Sequence, residues 1–336
     1  IVGRGITKVI TTGCGSAFFT AIHGETTIPS LAGVDTRAIE SFELANYFPS
    51  VDPESTLVIG HSGTGGSIET VQAMDAAAAK GCMTLAVTNT EATGVARASG
   101  LTLTYVTSQE CGPCTSVIST RILMQTMLAA AIGRRRGLSA TEFDAVESAL
   151  QRVPTVGRDF LDTNEDRVHD IARSYKDATS WLLVGSGPNY FSAREGTLKI
   201  EEQSILIGKA YRTGDFHHDA LSLVAPERAV VAIEAAGSPN ERVEDAVRAA
   251  NAGSSPTIAV TWTEDDGARR LAKDARHHIG LIPELPELIV PIPMTLVFQL
   301  LGYYLGVERG FNPDTLRTDT QANTRAWLTA FPFGTH

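Results

Sequence analysis

Short runs of β-forming residues recur along the chain at 8–12, 56–60, 83–87, 181–184, 229–233 and 257–261, each bounded by glycine or polar turn residues. Runs this short, rich in Val, Ile and Leu and barely alternating, are what strands buried on both faces look like. Between them the pattern turns helical, through His23 after the first strand and over 68–80 after the second. Strand and helix in alternation predict an α/β fold in which a parallel sheet is flanked by helices, a three-layer αβα arrangement. The longest uncharged run, 288–307, contains Pro291 and Pro293. It is expected to form a short buried strand and then a helix rather than a membrane span.

The pattern occurs twice. Gly13-Cys-Gly-Ser-Ala-Phe-Phe-Thr-Ala-Ile-His-Gly24 returns as Gly185-Ser-Gly-Pro-Asn-Tyr-Phe-Ser-Ala-Arg-Glu-Gly196, 172 residues later. Ala86-Val-Thr-Asn-Thr-Glu91 returns as Ala259-Val-Thr-Trp-Thr-Glu264 at an offset of 173. Two independent matches at nearly one offset mark a duplication, so two tandem domains of one fold are expected. The helical stretch 142–151 followed by Pro154 places the boundary near 155, giving domains 1–155 and 156–336. Arg134-Arg-Arg136 reads as a solvated helix end.

Charge narrows the partners. Of the 336 residues, 28 are Lys or Arg and 38 are Asp or Glu, a net charge of −10. Nucleic acid and anionic membrane surfaces call for the opposite balance, so neither is expected as a partner. An anionic ligand must be held by local donors. Four cysteines are too few for a disulfide scaffold and suit a reduced cytoplasm. Cys111-Gly-Pro-Cys114 reads as a loop with two incidental thiols, since no second CxxC or HxxxH lies near enough to complete a zinc site. The chain opens Ile-Val-Gly-Arg without Met, and a preceding segment is expected.

In parallel α/β sheets ligands sit beyond the carboxyl ends of the strands. There the strand 56–60 runs into His61-Ser62-Gly63-Thr64-Gly65-Gly66-Ser67, with a helix behind it. Ser62, Thr64 and Ser67 supply hydroxyls, glycine lets backbone N–H groups approach a ligand, and the helix N-terminus favours negative charge. This is a phosphate cradle without a lysine; the Gly-Lys-Ser/Thr ending of a Walker loop is absent. An N-cap serine followed by a flexible turn accounts for Ser67 but not for all three hydroxyls. Gly13-Cys-Gly15-Ser16 fails as a dinucleotide fingerprint because Phe18 stands where a third glycine belongs. Gly15 and Ser16 are expected to form a second wall for the same small anion.

At this point the sequence resembles the SIS (sugar isomerase) family of phosphosugar proteins. It looks most like the isomerase half of glucosamine-6-phosphate synthase and the fructosamine-6-phosphate deglycases. Cys14-Gly-Ser16 is similar to the family's Cys-Gly-Thr/Ser turn, and Ser62-Gly-Thr-Gly-Gly-Ser67 to its Ser-x-Ser-Gly-x-Thr loop. Val117-Ile-Ser119-Thr-Arg121 resembles its Val-Ala-Ser-Thr-Lys helix start, where the serine and nearby backbone touch the sugar. Glu195-Gly-Thr-Leu-Lys199-Ile-Glu-Glu202, Asp215-Phe-His-His218 and Asn312-Pro-Asp314 match later segments in the same order.

The resemblance implies Glu202 as the proton-transfer base and His218 as the group that helps open the sugar ring. It implies phosphate and sugar contacts from Ser62, Gly63, Thr64, Ser67, Gly15, Ser16, Val117 and Ser119. In relatives that histidine comes from the neighbouring subunit, which implies a homodimer or higher oligomer with a shared site, closed by the C-terminal tail. Lys199, one helical turn before Glu202, either holds a sugar hydroxyl or tunes the carboxylate. Neither metal nor cofactor is implied; His217-His218 lacks a carboxylate-rich neighbour, and His277-His278 reads as a solvated segment.

Departures separate the relatives. Glucosamine synthesis needs a late lysine, yet no lysine follows Lys273 and the corresponding position reads as Gln321 or nearby. These 336 residues also contain no amidotransferase segment. The expected function is therefore a deglycase or deaminase acting on an amino-substituted ketose 6-phosphate. An aldose–ketose isomerase and a non-catalytic sugar-phosphate sensor are the alternatives.

Overall fold

The computed structural model describes residues 2–107, 110, 112–281 and 285–331. All six expected runs are strands. In the first copy β1 (Lys8–Thr12) leads into α1 (Ser16–Ala32), then β2 (Asp35–Ala38), α2 (Ser41–Asn46), β3 (Thr56–Ser62) and α3 (Ile68–Ala79). β4 (Met83–Thr88), the single turn α4 (Gly94–Arg97), β5 (Leu101–Thr104) and α5 (Ser116–Arg136) complete it, and α6 (Ala140–Tyr175) follows. The second copy runs β6 (Ser180–Val184), α7 (Asn189–Ser204), β7 (Ile207–Tyr211), α8 (Thr213–Asp215) with the π-helical turn Phe216–Ala220, β8 (Arg228–Ile233) and α9 (Pro239–Ala252). β9 (Thr257–Thr261), α10 (Asp266–Asp274), β10 (His277–Gly280), α11 (Pro291–Glu308) and α12 (Gln321–Ala330) close the chain.

Each copy builds one five-stranded parallel sheet, ordered β2-β1-β3-β4-β5 in the first and β7-β6-β8-β9-β10 in the second. The order is the same, and so is the register: Lys8 faces Thr56 in the first sheet, and Ser180 faces Arg228, each 172 residues on, in the second. The chain is thus a tandem of two α/β sheets with helices on both faces, as the pattern predicts.

The strands that the pattern misses are β2, β5, β7 and β10, which are the four sheet edges. An edge strand buries one face or none, and these four are largely half-buried or exposed along their length. Val58, Ile10, Leu44, Met74 and Ala77 pack the first core on one face of its sheet. Leu182, Val230, Phe216 and Ala246 do the same in the second.

The chain divides into two compact units. The described residues within Ile1–Glu110, Cys114–Ser148 and Thr318–His336 form one, and those within Cys111–Pro113 and Ala149–Arg317 the other. The division falls inside α6, which passes through Pro154 instead of stopping before it. A mid-helix proline costs about 3 kcal/mol; here Val156, Phe160, Val168, Ile171 and Ala172 lie on one buried stripe and offset it. The run 288–307 holds no strand: α11 begins at Pro291, a proline suited to a first helical turn, and packs along α7. His277 and His278 are not on a solvated segment. They form the start of β10, half-buried, bonded to the Tyr175 and Thr261 hydroxyls at 2.8 Å each.

Candidate functional site

A sheet ordered 2-1-3-4-5 has its topological switch point between β1 and β3, and ligands bind in the crevice beyond those two strand ends. β1 and β3 pair directly, with Thr12 facing Gly60. The turn carrying Gly15 and Ser16 and the loop carrying Ser62, Gly63, Thr64 and Ser67 leave the sheet at that point. Cys14 and Thr70, from the helix behind the loop, tie the two together at 3.9 Å. Burial and the Glu40 carboxylate push the Cys14 thiol up to about 12, so it is a packing and hydrogen-bonding group rather than a nucleophile.

Within the loop, Ser62 Oγ and Ser67 Oγ meet at 3.2 Å. Ser67 stands at the N-cap of α3, yet its side chain makes no cap bond; the N-cap reading therefore fails for its hydroxyl. Thr64 Oγ1 accepts from the Gly66 N–H at 3.2 Å and shapes the turn. The Gly63 and Gly65 carbonyls accept from Asn89 and Val95 N–H groups, which pin the loop to the segment after β4. Gly65 sits at φ 67°, and a β-carbon there would lie 2.3 Å from the Thr93 side chain. Gly65→Val is accordingly expected to cost roughly 1–3 kcal/mol from the left-handed backbone alone, with the clash added. Chemical denaturation reads the loss, and phosphate affinity should disappear with the loop geometry.

Val117 and Ser119 sit in the first turn of α5. A β-carbon on Gly63 would come within 3.1 Å of Val117 Cγ1 and 3.7 Å of Arg121 Nη1. The loop therefore lies directly against this helix, and Gly63, Val117 and Arg121 form one surface. Ser119 bonds back to the Thr115 carbonyl at 3.4 Å. The α5 N-terminus is capped by Glu110, a residue that the sequence reading passes over. Its carboxylate accepts from Thr115 N and Oγ1, Ser116 N and Oγ, and Val117 N. Burial opposes ionisation of Glu110, but these donors prevail and hold its pKa below the usual range.

In the second unit α7 carries a buried charge cluster. Lys199 is fully buried, with Nζ 2.6 Å from Glu202 Oε2 and 3.4 Å from Glu195 Oε1. Spacings of three and four residues stack all three side chains on one helix face. Glu195 is 1% exposed and Glu202 24%, so Glu202 is the member with access to solvent. Burial raises the Glu202 pKa above the ordinary carboxylate range, and Lys199 works against that rise. Lys199 thus sits against the carboxylate that is expected to act as the base. His218 lies exposed in the π-helical turn, a kind of helix defect that often accompanies functional sites.

The second sheet has its own switch point, and its chemistry differs. By the shared register Ser62 corresponds to Glu234, at the end of β8. Glu234 is 1% exposed, and its carboxylate accepts from Trp262 N at 2.6 Å, Thr263 N at 3.1 Å and the Thr263 hydroxyl. Burial raises its pKa against those donors. In the loop that follows, Ala235 N–H donates to Asn240 and Ala236 N–H to Glu287. The copy equivalent to the hydroxyl loop is filled by acceptors of its own chain. The 172-residue offset between the copies signals the position, although Ser62 and Glu234 share no chemistry that would mark it in the sequence.

Cys111 lies outside the described residues. Among the described residues no three His, Cys, Asp or Glu side chains gather as metal ligands. α5 is long and apolar enough by length and composition to cross a membrane, but within its unit it packs along α1.

Residues 174–309 match the family described as SIS domain. A glutamine–fructose-6-phosphate aminotransferase (isomerizing) of Pyrococcus horikoshii is 27% identical over 316 residues, covering 92% of this chain and 50% of its own length. The chain spans about half the length of the curated relatives it matches. Among solved structures, the C-terminal domain of the glucosamine-fructose-6-phosphate aminotransferase of Francisella tularensis superposes with a TM-score of 0.82 at 18% identity, over 94% of this chain and 88% of that one. A glucosamine-6-phosphate deaminase of Thermotoga maritima gives 0.74 at 22% identity, over 93% and 89%. At these identities the two structures bear on the fold alone.

Proposed function

From a chain whose residues 174–309 match the family described as SIS domain, we propose a metal-independent enzyme acting on an amino-substituted ketose 6-phosphate. The observation that carries this reading is the cluster on α7: a solvent-accessible carboxylate of raised pKa held against a buried lysine. A carboxylate so placed is suited to act as a general base. The Ser62–Ser67 hydroxyls, with Gly15, Ser16, Val117 and Ser119 beside them, supply the phosphate and sugar contacts. His218 is assigned the ring-opening proton, and imidazole can hold or give one at physiological pH.

In this mechanism Glu202 takes a proton from C1 of the open-chain ketosamine while the C2 carbonyl oxygen gains one from water, leaving an enaminol. Protonation at C2 gives an imine of the aldose 6-phosphate, and water cleaves it to aldose 6-phosphate and free amine. We assign the active form to a cytoplasmic homodimer or higher oligomer that needs no cofactor. Gln321 or a neighbour, standing where glucosamine synthesis needs a lysine, supports loss rather than gain of an amine.

The test is incubation with a panel of fructosamine 6-phosphates and with fructose 6-phosphate, followed by NMR in D₂O. The expected result is amine release with deuterium entering at C2. Deuterium exchange on fructose 6-phosphate without amine release would replace the deglycase by an isomerase. Binding without exchange or release would make the chain a sugar-phosphate sensor.

A further inference from the structure

The hydroxyl loop contains no cation, yet a sugar phosphate near neutral pH carries close to two negative charges. One guanidinium lies against the loop. Arg121 is 2% exposed, and its Nη1 stands 3.7 Å from the point where a Gly63 β-carbon would project. Its Nε donates to the Thr20 hydroxyl at 3.2 Å, and Tyr105, itself buried, lies close enough for the guanidinium to favour its phenolate. No carboxylate forms an ion pair with Arg121 among the described residues. His61, the residue before Ser62, is wholly buried beside the same charge and stays neutral; burial and Arg121 push its pKa down to about 3.

A buried cation balanced only by neutral groups is costly, and chains rarely keep one unless an anion completes it. The groups named around the guanidinium are hydroxyls and a neutral ring, and the nearby Glu110 carboxylate is engaged by the donors of the α5 N-terminus. We infer that Arg121 is the counter-charge of the phosphate site: the phosphate of the substrate, seated on the Ser62–Ser67 loop, is the anion that balances it from across Gly63. The inference rests on the proposed phosphate reading of that loop and adds a binding residue to it. It also explains how a chain of net charge −10 can attract a dianion. The attraction is local, from below the loop, in a region where low polarisability strengthens it.

The test is calorimetric titration with fructose 6-phosphate and with inorganic phosphate, on the wild type, Arg121→Met, Arg121→Lys and Ser67→Ala, together with the melting temperature of each free protein. Removing one side of a buried, hydrogen-bonded charge pair is expected to weaken binding of both probes by roughly 30-fold or more in Arg121→Met. Arg121→Lys keeps the charge and should retain most of the affinity. Free Arg121→Met should melt no lower than the wild type, because methionine replaces an unbalanced charge by an apolar chain of similar length. The opposite pairing, a lower melting temperature with unchanged affinity in the folded protein, would make Arg121 merely structural and overturn the inference. Full affinity in Arg121→Met beside weakened binding in Ser67→Ala would also overturn it while leaving the loop reading intact. A wild type that binds neither probe would overturn the loop reading, and the inference with it.

Discussion

Glu202→Gln should slow turnover of the amino-sugar phosphate by about 100-fold or more, the scale of a positioned general base. The amide has nearly the volume of the carboxylate and still accepts from Lys199 Nζ, so the α7 cluster keeps its shape. It cannot take a proton from carbon. Phosphate affinity, which we propose for the Ser62–Ser67 loop, should stay within a few-fold of the wild type. The loss should therefore fall on kcat and not on substrate binding. Steady-state kinetics and calorimetry on the same preparation separate the two, and near-wild-type turnover would remove Glu202 from the mechanism. The wild-type pH profile follows from the same carboxylate. The base works only when ionised, and burial raises its pKa. The acid limb of kcat should accordingly lie above the usual carboxylate range.

Lys199→Met carries the largest expected effect on stability. Lys199 is fully buried between Glu195, also buried, and Glu202. Methionine fills the space but removes the ammonium that pairs with both carboxylates. Removing one partner of a buried ion pair typically costs about 3–5 kcal/mol. For units of this size that lowers the melting temperature by roughly 10 °C. The sign of the pH dependence is fixed by which form the folded state prefers. Without the lysine the folded protein favours protonated Glu202, whose pKa rises further above the unfolded one. Stability is then fully present below the unfolded carboxylate range and is lost as pH climbs through the folded values. The variant should lie closest to the wild type in mild acid and furthest from it in mild alkali. Denaturation midpoints measured across that span give the difference directly; a gap that stays constant with pH would mean that only packing was lost.

The readable part of the fold was its interior. Central strands such as 56–60 and 257–261 are buried on both faces and announce themselves by composition. β2 and β10 carry Asp, Arg and His because an edge wets one side, and no periodicity distinguishes them from loops. Pro154 does not end the helix that begins before it: a long stripe of apolar contacts carries α6 on to Tyr175. At the site, the hydroxyls and Glu202 were visible because their spacing is local. Glu110, Glu195 and Arg121 were not singled out. Their roles arise from what folding places beside them, a helix end for the first, a lysine one turn on for the second and a glycine loop for the third. Only the α7 pairing leaves a trace, in the four-residue step from Glu195 to Lys199.

The exchange of Ser62 for Glu234 at one register position has a bearing on how the chain tolerates change. Duplicated folds often carry redundancy, where damage to one copy is covered by the other. Here the second cradle donates its Ala235 and Ala236 backbone N–H groups to Asn240 and Glu287, so it has nothing to lend. The two halves have become specialists, and substitutions at the first switch point act on the chain as they would on a protein with a single copy.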